Sequence, residues 1–260
     1  MVERAQGERV VVVTGVSRRM GVGFAVVQRL LRDGAKVLIH SFSPHDAEQP
    51  WGADAGGIEA LIDELGSASG RLAHVEADLG DPDAPRRLMA SAMSTFGAVD
   101  ALVVNHAHSS SQSLETLTVE ELDRAWAVNA PAAVLLTQAF AASHDDARPN
   151  GRVVLLTSGQ HLAPMTDELP YAISKGAVHQ MTRSLADALA DHAITANAIN
   201  PGPIDTGWPS ADLRERLRPN FPAGRWGHPE DIALIIAWLV SADSAWITGQ
   251  VIDAEGGFRR

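Results

Sequence analysis

Short apolar runs alternate with longer stretches of helical periodicity along the whole chain, and this alternation limits the fold more than any other feature. "RVVVVT" (9–14) is a run with no polar face, and 20–34 then repeats Phe24, Val27, Leu30 and Leu31 at helical spacing before stopping at Gly34. The same pairing recurs. Strands are predicted at 35–40, 71–78, 100–105, 151–158, 194–200 and 249–254, and helices at 57–66, 84–97, 118–144, 170–191 and 229–241. Strands without a polar face, separated by helices, imply a parallel sheet covered on both sides. The handedness of the crossovers then favours a doubly wound, Rossmann-type α/β sheet of about seven strands. No repeat or linker divides 1–260, so a single domain is expected. Two stretches break the rhythm: a long loop at 41–56, and a Pro/Gly-rich segment at 201–226 around one short helix. The second reads as a lid over the ligand at about 204–226.

Composition removes several functions. The net charge of −11 disfavours nucleic-acid and anionic-membrane partners, and zero cysteines exclude disulfides, thiolate metal sites and a cysteine nucleophile. The opening "MVERAQGERV" lacks the apolar core of a secretory signal, so a cytoplasmic location is expected.

Three local patterns carry chemistry. "TGVSRRMGVG" (14–23) lies between the first strand and the first helix, where glycines let a pyrophosphate approach the backbone and the helix N-terminus. At the end of the second strand stand His40, Ser41 and Phe42, with no acid to bind an adenosine ribose 2′-hydroxyl; Arg18 and Arg19 lie on the neighbouring turn. This favours NADP(H), with NAD(H) still possible, and Ser41, Arg18 and Arg19 are expected among the cofactor-binding residues. Third, the chain's one tyrosine, Tyr171, and one of its two lysines, Lys175, stand four apart. On a helix they share a face. A phenol near ~10 is too weak an acid for neutral pH, and an adjacent ammonium is expected to lower it into use as a general acid–base.

With these motifs in order from about residue 10 to 257, the chain resembles the short-chain dehydrogenase/reductase family, and in particular its 3-oxoacyl-carrier reductase-like members. The resemblance implies a nicotinamide-dependent oxidoreductase that moves hydride between the cofactor and a carbonyl or secondary alcohol. It implies Tyr171 as the proton carrier, Ser158 on the substrate oxygen, Lys175 on the nicotinamide ribose, and Asn129 anchoring a water beside Lys175. Pro131, lacking an N–H, should bend the helix there. The family's cofactor residues correspond to Gly15, Ser17 and Gly21 in the turn, to Asp78 after the third strand, and to Asn105 and Ala107 in the stretch that the family writes NNAG and this chain VNHA. Pro201, Gly202, Ile204 and Thr206 of "NPGPIDT" correspond to the nicotinamide end. Arg19 replaces the family's middle glycine, and a contact from it to a 2′-phosphate or pyrophosphate is expected.

Around the substrate, Gln160 and His161 are expected to face the ligand, and Met165 and Trp208 to give the pocket its apolar wall. His106 and His108 read as a strand-end pair lining the cleft, not as metal ligands, since no third ligand is placed to join them. Thr118 and Glu121 form a predicted capping box. Arg214, Arg216 and Arg218 on the lid read as a solvated charged face. The resemblance also implies a homotetramer packed through 118–144 and 170–191. Two other functions fit parts of the pattern: reduction of 3-oxoacyl thioesters on a carrier, and a non-catalytic dinucleotide sensor.

Overall fold

A computed structural model describes residues 9–66, 70–148 and 150–260. Seven strands form one all-parallel sheet: β1 (Val10–Val13), β2 (Lys36–Ser41), β3 (Leu72–Glu76), β4 (Ala101–Val104), β5 (Gly151–Leu156), β6 (Ile194–Asn200) and β7 (Val251–Asp253). Their order across the sheet is β3-β2-β1-β4-β5-β6-β7. The chain winds outward in one direction from β1 and in the other from β4, so the direction reverses between those two strands. Carboxyl-end loops diverge there and leave a crevice.

Valine dominates β1 because both faces of the strand are covered. Val11 and Val13 pack with Phe24, Val27 and Leu30 of helix α1 (Val22–Arg32) and with Ile232 and Ile236 of helix α9 (Pro229–Leu239). Val10 and Val12 face the opposite layer, with Leu88 of helix α4 (Ala84–Phe96), Leu136 and Phe140 of helix α6 (Pro131–Ser143), and Val178 of helix α7 (Leu169–Ala188). No valine of the four exceeds 3% exposure, which a strand with one wet face could not show.

Three segments depart from the sequence-based expectations. The loop expected over 41–56 begins with a short helix α2 (Ser43–Glu48), started by Pro44 in its first turn. The helix expected over 118–144 is broken at Ala130 into α5 (Val119–Asn129) and α6. Pro131 has no N–H to continue the hydrogen-bond ladder, so the expected bend is a full interruption. Thr118 caps α5 by accepting from the Glu121 N–H, but the reciprocal half of the box is missing. Gln112 Oε1 takes the Thr118 N–H, and the Glu121 carboxylate turns to His108. The remaining helices are α3 (Gly57–Leu65) and, inside the expected lid, α8 (Ala211–Leu217).

Candidate active site

A cleft of about 770 Å³ opens at the carboxyl ends of the strands, where the winding reverses. Its floor is the turn after β1. Gly15 has φ +74, and a Cβ there would stand 2.7 Å from the His106 Cα, so this position admits only glycine. Asn105 fixes the approach of β4 to the turn: its amide donates to the Thr14 and Gly15 carbonyls at 3.0 and 2.9 Å. Helix α1 starts at Val22 with no side-chain cap, and Gly21 and Val22 line the cleft. Its first-turn N–H groups are therefore available to an anion. Ser17, Asp78 and Ala107 also line this part of the cleft, and Pro201, Gly202, Ile204 and Thr206 form the opposite end. These donors, the tight turn and the open helix start fit a dinucleotide.

Two histidines at the turn are structural. His106 stands between the Thr14 hydroxyl at 2.8 Å and the Val128 carbonyl at 2.9 Å. The carbonyl can only accept, so Nε2 holds the ring proton and Nδ1 accepts from Thr14. Burial pushes His106 down to about 3, which keeps it neutral. His40 is held likewise between the Ala77 carbonyl and the Gly15 N–H, and burial lowers it to about 4. His108 donates to Glu121 at 2.5 Å. Among the described residues no three potential ligands gather into a metal site.

The two arginines of the turn part company. Arg18 lines the cleft, stacked 5.1 Å from the Trp51 ring, paired with Asp46 at 3.1 Å and donating to the Thr206 carbonyl at 3.0 Å. Arg19 points away: its guanidinium is held by Asp54, Glu64 and the Ala55 carbonyl. The expected phosphate contact from Arg19 is therefore absent, because two acids of the following segment capture it first. Ser41 is also displaced from its expected role. It is fully buried and hydrogen-bonded to His74 at 2.8 Å, and Phe42 lines the cleft in its place.

At the other end stand Ser158, just after β5, and Tyr171, in the first turn of α7. Both line the cleft, and the Ser158 hydroxyl is placed to favour the ionised form of the phenol. Lys175, one turn on, is 2% exposed; its Nζ donates to the Leu156 carbonyl at 2.7 Å and lies 5.7 Å from the centre of the Tyr171 ring. The phenol is not acidified as the spacing suggested. Burial pushes it up to about 12, the Ser158 hydroxyl pulls against this, and the Glu168 carboxylate pushes with it. The ammonium moves the other way, since burial lowers Lys175 to about 8. Asn129 is buried behind this group and fully engaged. It accepts from the His108 N–H at 2.7 Å and donates to the His108 carbonyl and the Ser174 hydroxyl, both at 2.8 Å. Both amide protons are taken by protein, so the side chain braces α5 against α7 and the strand-end loop and has no proton left for the expected water.

Of the expected substrate residues, Met165 and Trp208 line the cleft. Gln160 and His161 do not. A short 3₁₀ turn after Ser158 carries them away from the cleft, Gln160 inward to Thr157 and the Lys175 carbonyl, His161 to Asp253 at 3.2 Å and onto the His179 ring. On the lid, Arg214 pairs with Asp205 and Arg218 with Glu215, while Arg216 is exposed.

Sequence reasoning missed Asp46 and Trp51 on the α2 segment, Glu168, and the tail residues Glu255, Phe258 and Arg260, all on the cleft wall. Glu168 alone had a local signal, lying three residues before Tyr171. The tail reaches the cleft through long-range contacts: Arg259 exchanges hydrogen bonds with Asn220, and Phe258 stacks on Phe221.

Residues 15–259 match the family described as enoyl-(acyl carrier protein) reductase. The chain is 38% identical to the uncharacterized oxidoreductase YjdA of Bacillus subtilis, over 97% of this chain and 98% of that one. It belongs to the short-chain dehydrogenase/reductase family. The human dehydrogenase/reductase SDR family member 4 is 32% identical, over 91% of this chain and 83% of its own. Among solved structures, the short-chain dehydrogenase/reductase of Serratia marcescens superposes with a TM-score of 0.85 at 30% identity, covering 97% and 98% of the two chains. A blue fluorescent protein from a metagenomic library, solved with NADPH, gives 0.83 at 32% identity over 97% and 98%. As a short-chain dehydrogenase/reductase the protein is an NAD(P)-dependent oxidoreductase acting on CH–OH groups of small molecules, on a single seven-stranded Rossmann-like sheet.

Proposed function

We propose that the protein is an NADP(H)-preferring carbonyl reductase in which Tyr171 passes its proton to the oxygen of a ketone or aldehyde. The observation that carries this reading is the Ser158–Tyr171 hydroxyl pair on the cleft wall with the buried Lys175 ammonium behind it. Two hydroxyls side by side give one carbonyl oxygen both a proton source and a second donor. With the phenol near 12, Tyr171 keeps its proton at neutral pH, which suits donation, and hence reduction, better than abstraction. When the proton leaves, Ser158 and Lys175 are the groups that stabilise the phenolate. A bound nicotinamide would supply the hydride, held by the glycine turn at one end and by the Pro201–Thr206 segment at the other.

For the cofactor, Arg18 is the cation available to a 2′-phosphate, and no carboxylate directly follows β2. Asp46 favours the opposite preference, since its carboxylate already pairs with Arg18 on the same wall and could accept a ribose hydroxyl. Comparing KM for NADPH and NADH in the wild type and in Arg18→Ala decides between them. NADP(H) preference predicts a loss confined to NADPH.

The substrate reading is tested by following NADPH oxidation with ketones, aldehydes and 3-oxoacyl thioesters. Tyr171→Phe should abolish turnover while dinucleotide affinity stays nearly unchanged, and a variant retaining most of its rate would refute the assigned role. Turnover confined to thioesters would favour the acyl-carrier reading. The groove of Trp126, Pro131, Val134 and Met181 between α5, α6 and α7 supports the homotetramer that the family resemblance implies, which sedimentation measures directly. A cytoplasmic location completes the proposal.

A further inference from the structure

Four acids stand on the cleft wall, and three are engaged. Asp46 holds Arg18 and the Trp51 indole N–H, Asp78 accepts from the Gly80 N–H, and Glu255 holds Arg260 and the Asn200 amide. The fourth, Glu168, has no hydrogen bond or ion pair to its carboxylate among the described residues. It occupies the N-cap position of α7 yet does not cap the helix. It stands three residues before Tyr171, about one helical turn away along the chain, and its charge is felt by the phenol.

A half-buried carboxylate with no partner is unfavourable, and burial together with the neighbouring Asp167 pushes Glu168 upward. It also works against Tyr171, whose ionisation its charge opposes. A group that costs stability and hinders the phenol calls for a third partner. The adjoining loop offers a second polar group. Ser109–Ser111 line the cleft, the Leu169 N–H binds this loop at the Gln112 carbonyl at 3.0 Å, and the buried Ser110 hydroxyl has no partner.

We infer that Glu168 selects the substrate: its carboxylate receives a hydrogen-bond donor, a hydroxyl or an ammonium, that the substrate carries near the carbonyl reduced at Tyr171. The substrate class is then hydroxy- or amino-ketones, with apolar ketones disfavoured and keto acids repelled. This rests on the carbonyl-reductase reading above. It also accounts for the charge balance of the cleft: among the described residues its three arginines, Arg18, Arg124 and Arg260, are each paired with an acid, which leaves Glu168 as the unpaired charge that an anionic substrate would meet.

The experiment compares kcat/KM for 4-hydroxy-2-butanone, 4-amino-2-butanone, 2-pentanone and 4-oxopentanoate, with NADPH and with NADH, in the wild type and in Glu168→Gln. The wild type should prefer a donor-bearing ketone to 2-pentanone by about tenfold or more, because a site built to bind a donor discriminates strongly against its absence. The hydroxy and amino arms separate the two kinds of donor. In Glu168→Gln that ratio should fall toward unity, and 4-oxopentanoate should gain relative to the other three. Equal rates on all substrates in the wild type, or a uniform loss across all four in the variant, would overturn the inference while leaving the reductase reading intact. No turnover of any carbonyl, with dinucleotide binding retained, would overturn both. The wild-type ratios need no variant, so a folding defect in Glu168→Gln cannot protect the inference.

Discussion

Replacing Lys175 by methionine removes one buried charge and keeps most of the side-chain volume. The ammonium lies 5.7 Å from the centre of the Tyr171 ring. At an effective dielectric of ~20, a unit charge at that distance stabilises a phenolate by about 3 kcal/mol. Each 1.36 kcal/mol is a factor of ten, so proton transfer should slow by ~100-fold. The assay is kcat/KM for ketone reduction from pH 6 to 10. In the wild type the rate should fall as pH rises through about 8, where the buried ammonium loses its proton. Lys175→Met should start low and show no inflection there. Stability supplies an independent readout. The folded value of about 8 lies below the ordinary 10.5, so between those pH values the native state has shed a proton that the unfolded chain retains. Wild-type stability should therefore rise across that window, by about 3 kcal/mol in all, and the variant should lack this slope. The unpaired Leu156 carbonyl changes the offset between the two proteins but not the slope. A variant within threefold of the wild-type rate, or a wild-type profile flat through pH 8, would refute the electrostatic role.

Ser158→Ala removes the hydroxyl that draws the phenol down; kcat should drop by ~100-fold, as for loss of one oxyanion donor, with dinucleotide affinity unchanged by fluorescence titration. Gly15→Ala forces a Cβ to 2.7 Å from the His106 Cα at φ +74, and urea denaturation should show a loss of about 2 kcal/mol or more together with weaker dinucleotide binding. Arg19→Ala should leave NADPH affinity within about twofold, because its guanidinium is committed to Asp54 and Glu64; a tenfold loss would restore the phosphate contact expected from sequence.

The fold and the cleft floor were legible because they depend on patterns local to each segment. Four valines in a row cannot face water on either side, and a glycine at the end of such a strand, before an uncapped helix, leaves few uses for the turn. The Tyr171–Lys175 spacing was legible for the same reason, since four residues fix a helical face. What local pattern could not supply was the direction of a side chain whose partner arrives from elsewhere. Arg19 looked free until Asp54 and Glu64, 35 and 45 residues on, were seen to hold it. Ser41 read as a cofactor contact until β3 brought His74 beside it. Spacing brought the ammonium to the phenol correctly, yet the sign of the phenol's shift was decided by burial, a property of the whole cleft. Burial acts on the pair in one consistent sense: it disfavours charge on both groups, raising the tyrosine and lowering the lysine. A site biased this way holds a neutral phenol ready to donate beside an ammonium that only just keeps its proton at pH 7. Tyr171 is therefore in its proton-bearing form throughout the neutral range, and the Lys175→Met pH profile measures how far the ammonium offsets the cost of releasing that proton.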